Sequence, residues 1–262
     1  MELTYLVHIN TTVKDYSLMV GINHKLLKDI KQSGDILLNN QHVTTRSQVC
    51  VGDKIIFVLP IEKSTLNKSN LPLNIVYEDD ALLIIDKQKD IPCIPVHHYQ
   101  NDTIANILTK YYEDHGISSK IHIVNRLDKE TRGLMIVAKN RYVHDLLSHS
   151  HIDRIYRAHV EGRVTSGTIN KPILSINHQM KRVIDHLGKE SITHYKQVGE
   201  YVYFKLETGR THQIRVHMAS INHPLVGDSL YGSGIGEFDL ESVAVRFIHP
   251  ITHQIISIQK KM

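Results

Sequence analysis

The chain has no tryptophan, only four phenylalanines and only two cysteines. Cys50 and Cys93 are too few for a disulfide framework, which removes the small secreted scaffolds and suits a reducing, cytoplasmic compartment. Long apolar runs are missing as well. Stretches such as Ala81–Ile85 stop at five residues, far short of the roughly twenty that a membrane-crossing helix needs. The start, MELTYLVHIN, lacks a basic leader, an extended apolar segment and a small-residue cleavage site, so no secretory signal is expected. There is no internal repeat and no low-complexity tract. With so few other large aromatics, any stacking on a flat ligand falls mostly to the 12 tyrosines.

What is present is an ordinary soluble composition. The 262 residues suit one large domain or two smaller ones, and 41% hydrophobic with 22% charged residues is enough for a packed core. The net charge of +4 is compatible with a polyanionic partner without identifying one. Nineteen histidines strengthen that positive field below neutral pH.

One stretch, IHIVNRLDKETRGLMIVAK at 121–139, holds the most concentrated chemistry. β-Branched residues lead into a turn carrying Arg126, Asp128, Lys129 and Glu130, and Gly133 opens a second apolar run, Leu134 to Ala138. The pattern predicts strand, charged loop, strand. A carboxylate and a guanidinium two residues apart, on a loop between two buried strands, are placed to work on a ligand. A turn of this kind read alone is also what a merely solvated surface loop looks like.

Around that stretch the chain divides in three. Residues 1–60 predict a small α+β unit: a strand at Leu3–Ile9, a helical pattern through Leu18, Ile22, Leu26, Leu27 and Ile30 ending at Ser33-Gly34, a strand at Ile36–Leu38, a tight turn at Asn39-Asn40 and a strand at Lys54–Leu59. Lys25, Lys28 and Lys31 form a basic stripe that either meets a polyanion or solubilises the helix. Residues 61–72 are polar, rich in Ser, Asn and Lys, and read as a linker. Residues 73–262 predict a hairpin at 74–86, a helix capped by Asp102-Thr103, a helix over 140–149, a strand at Tyr156–Glu161, a loop-rich stretch at 163–192, a strand at Tyr201–Leu206, a helix at His212–Ala219 and two closing strands near 243–258. His212 and His217 stand five apart rather than the four that shares one helical face, so packing or contact with a polyanionic partner is expected of them, not zinc. His97-His98 and His149/His151 read as surface.

Three segments then belong together. NRLDKETRGLMIVAK resembles the signature of RluA-type RNA pseudouridine synthases, whose pattern reads His-Arg-Leu-Asp, two variable residues, Thr-Ser-Gly and an apolar strand. TGRTHQIR at 208–215 resembles the family's second signature, and HPLVGDSLYG at 223–232 its third. The three fall in the family's order, within a resemblance covering about residues 73–250. In the N-terminal part, a helix followed by GDILLNNQHV and VGDKI resembles the alpha-L RNA-binding domain, with Asn23 and His24 where arginine is usual.

The resemblance implies an α+β catalytic domain with a mixed, largely antiparallel sheet, joined to a small N-terminal RNA-binding domain. It implies a monomer that isomerises uridine to pseudouridine in a structured rRNA or tRNA. No atom leaves in that reaction, so neither redox cofactor nor metal is required, only a carboxylate beside the sugar of a uridine swung out of its stack. By resemblance, Asp128 is that carboxylate, Tyr156 stacks on the flipped base and helps remove its C5 proton, and Arg210 pairs with Asp128. Arg126 fills the space the base has left, and Leu225 and Val226 form apolar pocket wall. Asn125 stands where the family has His, Arg132 where it has Ser, and Lys87-Gln88 where Lys-Pro is common. These departures leave a second reading open, a relative that binds RNA as an assembly factor without turnover. A histidine-rich metallohydrolase is the third and weakest reading.

Overall fold

The strand Arg132–Ala138 explains the architecture, because its side chains alternate between two separate cores. Leu134, Ile136 and Ala138 join one apolar cluster, while Met135 and Val137 join the other. The neighbouring strand Leu82–Lys87 repeats the pattern, with Leu82 and Ile84 on one side and Leu83 and Ile85 on the other. Successive strand residues point to opposite faces, so an unbroken apolar run is what a sheet covered on both faces needs.

The protein is described here from a computed structural model covering residues 1–96, 99–176 and 179–261; His97 and His98, expected at the surface, lie outside the described residues. The main sheet has ten strands. Eight run in the order Ser166–Asn170, Ile192–Val198, Tyr201–Leu206, Ile152–Ala158, Glu241–Ile248, Arg132–Ala138, Leu82–Lys87 and Ile75–Glu78. Ile255–Gln259 adds to Glu241–Ile248, and His122–Ile123 to Arg132–Ala138. Arg132–Ala138 and Glu241–Ile248 run parallel; the other pairings in this sheet are antiparallel. The fold is thus the expected mixed, largely antiparallel sheet with flanking helices.

Residues of the N-terminal sheet, order Glu2–Leu6, Lys54–Val58, Asp35–Leu38, Gln41–His42, share the first core. Leu3, Ile22, Leu26, Ile30 and Phe57 are buried with Leu134, Ile136 and Phe247. Polar links reinforce the contact: Tyr142 donates its hydroxyl to the Val20 carbonyl at 2.6 Å, Asn23 Nδ2 donates to Asp145 at 2.7 Å, and Arg141 pairs with Asp29. The second core holds the helix Ile104–Asp114, whose Thr103 and Asn106 form a reciprocal capping box.

Two expectations need correction. The N-terminal helical pattern is two helices, Val13–Met19 and His24–Ser33. Gly21 at φ 83° breaks the first, and the Asn23 side chain starts the second by accepting from Leu26 N at 2.9 Å. The stretch at 163–192 is not all loop: it contains the strands Ser166–Asn170, Ile173–Ser175 and Arg182–Ile184. Ser166–Asn170 lies at the sheet edge with only Ile169 buried, so its sequence carries almost no alternation to read.

Candidate active site

The turn carrying Asp128 is held by side chains that donate to its backbone. Lys87, 1% exposed, aims its ammonium at three carbonyls: Thr131 at 2.7 Å, Lys129 at 2.9 Å and Gln88 at 3.0 Å. The Cys93 thiol donates to Leu127 O at 3.1 Å, and Thr131 N closes the turn onto Asp128 O at 3.1 Å. Asn125 is buried, and its Oδ1 accepts from Ile136 N at 2.7 Å, extending the join between the two strands. Fixing the backbone at several points restricts where a side chain carried on the loop can stand.

Asp128 lines a cavity of about 570 Å³ together with Arg126, Arg154, Tyr156, Arg210, His212 and Arg215. Burial pushes its carboxyl above the usual range, opposed by the charges of His212 and Arg215, while Glu130 pushes it further up. Among the described residues Asp128 has no ion pair within 4 Å, so its stabilisation comes from nearby charge rather than contact. Arg215 is buried and bonds Asp228 at both oxygens, Nε and Nη2 each at 2.8 Å, and reaches Glu130 with Nη1 at 3.1 Å. Asp228 is fixed in turn by Leu230 N and Tyr231 N at 2.9 and 3.0 Å.

The helix that delivers these groups, Gln213–Ala219, starts from His212 at φ 58°. That left-handed backbone costs a side chain-bearing residue about 1–2 kcal/mol. Gln213 offsets it by organising the entry. Its Oε1 accepts from Arg210 N at 3.0 Å and from the Thr208 hydroxyl at 2.9 Å, while its Nε2 donates to Ile192 O at 3.0 Å. His212 sits 3.0 Å from the Tyr231 hydroxyl, and burial lowers its pKa from 6.5, which favours the neutral imidazole at pH 7.

Tyr156 lines the cavity from Ile152–Ala158, just after an irregularity between Ile155 and Tyr156 in the pairing with Glu241–Ile248. Burial raises its phenol pKa above the usual value. Arg126 is exposed at the rim. Arg210 also lines the cavity, but it is exposed and donates to Glu190 O at 3.2 Å instead of meeting Asp128. The guanidinium whose charge bears on Asp128 is that of Arg215. Leu225 and Val226 do not line the cavity. Leu225 is 1% exposed in the second core and bridges to Val160, and Val226 lies under the loop at Gly236. The apolar wall comes instead from Ile123, Leu206, Ile214 and Leu240.

Arg132 turns away from the cavity toward Glu241, 3.6 Å from Nη2, an acid that Arg157 and Lys260 also engage. His217 bonds Thr193 and Lys171 O, both at 2.9 Å, as a packed core histidine. His212, Lys87, Cys93, Arg154 and Arg215 are the cavity or turn residues that the sequence reading did not assign to the site. Arg215 lay inside a quoted signature and inside the helix expected at His212–Ala219, but the sequence did not show whether it or Arg210 would face Asp128. Around the cavity, Asn125 Nδ2, Thr131 Oγ1 and Arg154 Nε are buried without a hydrogen-bond partner among the described residues. Such groups are uncommon in native interiors, and all three belong to residues that line the cavity.

Comparison with known proteins shows which family the chain resembles. The family described as RNA pseudouridylate synthase matches residues 81–220. The chain is 39% identical over 261 residues to the uncharacterized RNA pseudouridine synthase YjbO of Bacillus subtilis, covering 93% of this chain and 92% of that protein. It is 36% identical to the ribosomal large subunit pseudouridine synthase D of Haemophilus influenzae, covering 85% of this chain and 78% of that one. The solved structure of human RNA pseudouridylate synthase domain containing 1 shares the fold, with a TM-score of 0.58 at 22% identity over 73% of this chain and 84% of that one.

Proposed function

Starting from the fact that this chain belongs to the RNA pseudouridylate synthase family, we propose that it converts specific uridines to pseudouridine in a structured ribosomal or transfer RNA, with Asp128 as the reacting carboxylate. The observation that carries the reading is Asp128 itself: a carboxylate in a cavity whose other charged lining groups are mostly guanidiniums.

The reaction breaks the bond from ribose C1′ to uracil N1 and makes one from C1′ to C5. The hydrogen on C5 leaves as a proton, and N1 gains one. Asp128 acts at the sugar or as base, and the charge of Arg215 limits how far burial suppresses its ionisation. Tyr156 stacks on the flipped uracil and assists removal of the C5 proton. Arg126, exposed at the rim, enters the space the base leaves, where its plane stacks and its charge faces phosphate. Arg210, which also lines the cavity, meets the RNA backbone instead of Asp128. Residues 1–60 serve as the alpha-L-like RNA-binding domain, residues 61–72 as its connection and residues 73–262 as the catalytic domain, in a monomeric cytoplasmic protein.

The test is tritium release from RNA labelled at uridine C5, isolated from cells lacking the gene. The parent protein should release tritium, and Asp128→Asn should lose at least about a thousandfold in rate with its fold unchanged by circular dichroism. An Asn variant at full rate would remove Asp128 from the chemistry. A parent that binds the RNA but releases nothing would leave the assembly-factor reading.

A further inference from the structure

We infer that Arg154 is a substrate-contacting residue that holds a phosphate flanking the target uridine. The inference rests on the reading of the cavity as a uridine site. Arg154 stands two residues before Tyr156 on the strand Ile152–Ala158, so both side chains leave the sheet on the same face. Both line the cavity with Asp128. Asp153, just before Arg154, faces the other way and is taken by Lys205, 2.6 Å from its Oδ1.

Arg154 is left without an anion. No carboxylate lies within 4 Å of it among the described residues, and its Nε is buried with no acceptor. This separates it from Arg215, which is bonded to Asp228, and from Arg157 and Arg132, which meet Glu241. A buried N–H without an acceptor is costly, and a guanidinium presents its donors as a planar fork that matches the oxygens of a phosphodiester. Gly209 keeps the place open: a β-carbon there would come to 3.2 Å from Arg154 Nη1. The sheet therefore offers one strand face with a ring for the base and, two residues away, an unneutralised cation for the backbone beside it.

Two ligands that differ only in phosphate test this: uridine and uridine 3′,5′-bisphosphate, titrated into the full chain by calorimetry or ligand-observed NMR. The parent should prefer the bisphosphate by about tenfold or more. Arg154→Met and Arg154→Gln should bring the two ligands within about threefold of each other while leaving uridine binding unchanged, and Arg154→Lys should keep part of the preference. The melting temperature of each variant checks that the fold survives. A parent without the preference, a Met variant that retains it, or a loss that falls equally on both ligands overturns the assignment. Tritium release without any phosphate preference would sink this assignment alone. The preference without tritium release would sink the isomerase reading alone.

Discussion

A β-carbon at position 133 would stand 2.2 Å from the carbonyl oxygen of Ser242, closer than any real contact. Gly133 also sits at φ 109°, a backbone that favours glycine. It is where the Asp128 turn ends and where Arg132–Ala138 pairs in parallel with Glu241–Ile248, Gly133 opposite Ser242. One residue thus couples the Asp128 turn to the middle of the sheet, and it does so by having no side chain.

Gly133→Ala should therefore destabilise the protein by about 2–4 kcal/mol, combining backbone strain with forced separation of two strands. Denaturant midpoints measure the loss. Conversion should also fall below the folded fraction, because the strands can part only by shifting the turn. A Gly133→Ala protein of parental stability and rate would show that the parallel pairing does not position the site.

The two arginines of the second signature should behave differently. Arg215→Ala leaves Asp228 buried without its partner, which should cost about 3–5 kcal/mol and nearly all activity. Arg210→Ala should keep the fold and most of kcat, with a rise in KM for RNA. Steady-state kinetics and thermal melts on both variants decide between them. If Arg210→Ala loses kcat while Arg215→Ala keeps it, the pairing first expected from the sequence is the one that operates.

Lys87 should leave a pH signature. Burial lowers its pKa from 10.5 to about 8. Between those values the unfolded chain holds a proton that the folded chain releases, so this group's contribution to stability rises with pH across the window. Below about pH 8 both states are protonated and the whole cost of burying the ammonium is present. Removing that titration with Lys87→Met should make the stability difference, parent minus variant, grow from about pH 8 to about pH 10. The variant should also lose at least about tenfold in kcat, because the carbonyls of Lys129 and Thr131 lose their shared donor. A pH-independent difference would mean that Lys87 is not buried as a cation.

Much of the fold was legible. The hairpin of Ile75–Glu78 and Leu82–Lys87, the capped helix Ile104–Asp114 and the strand–turn–strand around Asp128 all match their sequence patterns. They are local: periodicity, a cap and a turn suffice to specify them. Ser166–Asn170 and Ile192–Val198 were missed because they are recruited by pairing rather than by their own apolar pattern.

The site divides along the same line. Asp128, Tyr156 and Arg126 were found from the sequence, and all three line one cavity. Their companions were not, or were misplaced. Arg210 and Arg215 lie in one short motif, and which of them bears on Asp128 depends on where the helix starts, set by His212 in a left-handed backbone and by Gln213. Lys87 reaches the turn across 44 residues to Thr131, and Arg154 meets Gly209 only because their segments converge at the cavity. By itself the sequence determined the locally specified elements and the charged turn between two buried strands, since short-range sterics and burial period act within a few residues. Which charges surround that turn, and which cation is left without a partner, only the tertiary structure decided, because electrostatics and hydrogen bonding act between groups that the chain brings together from far apart.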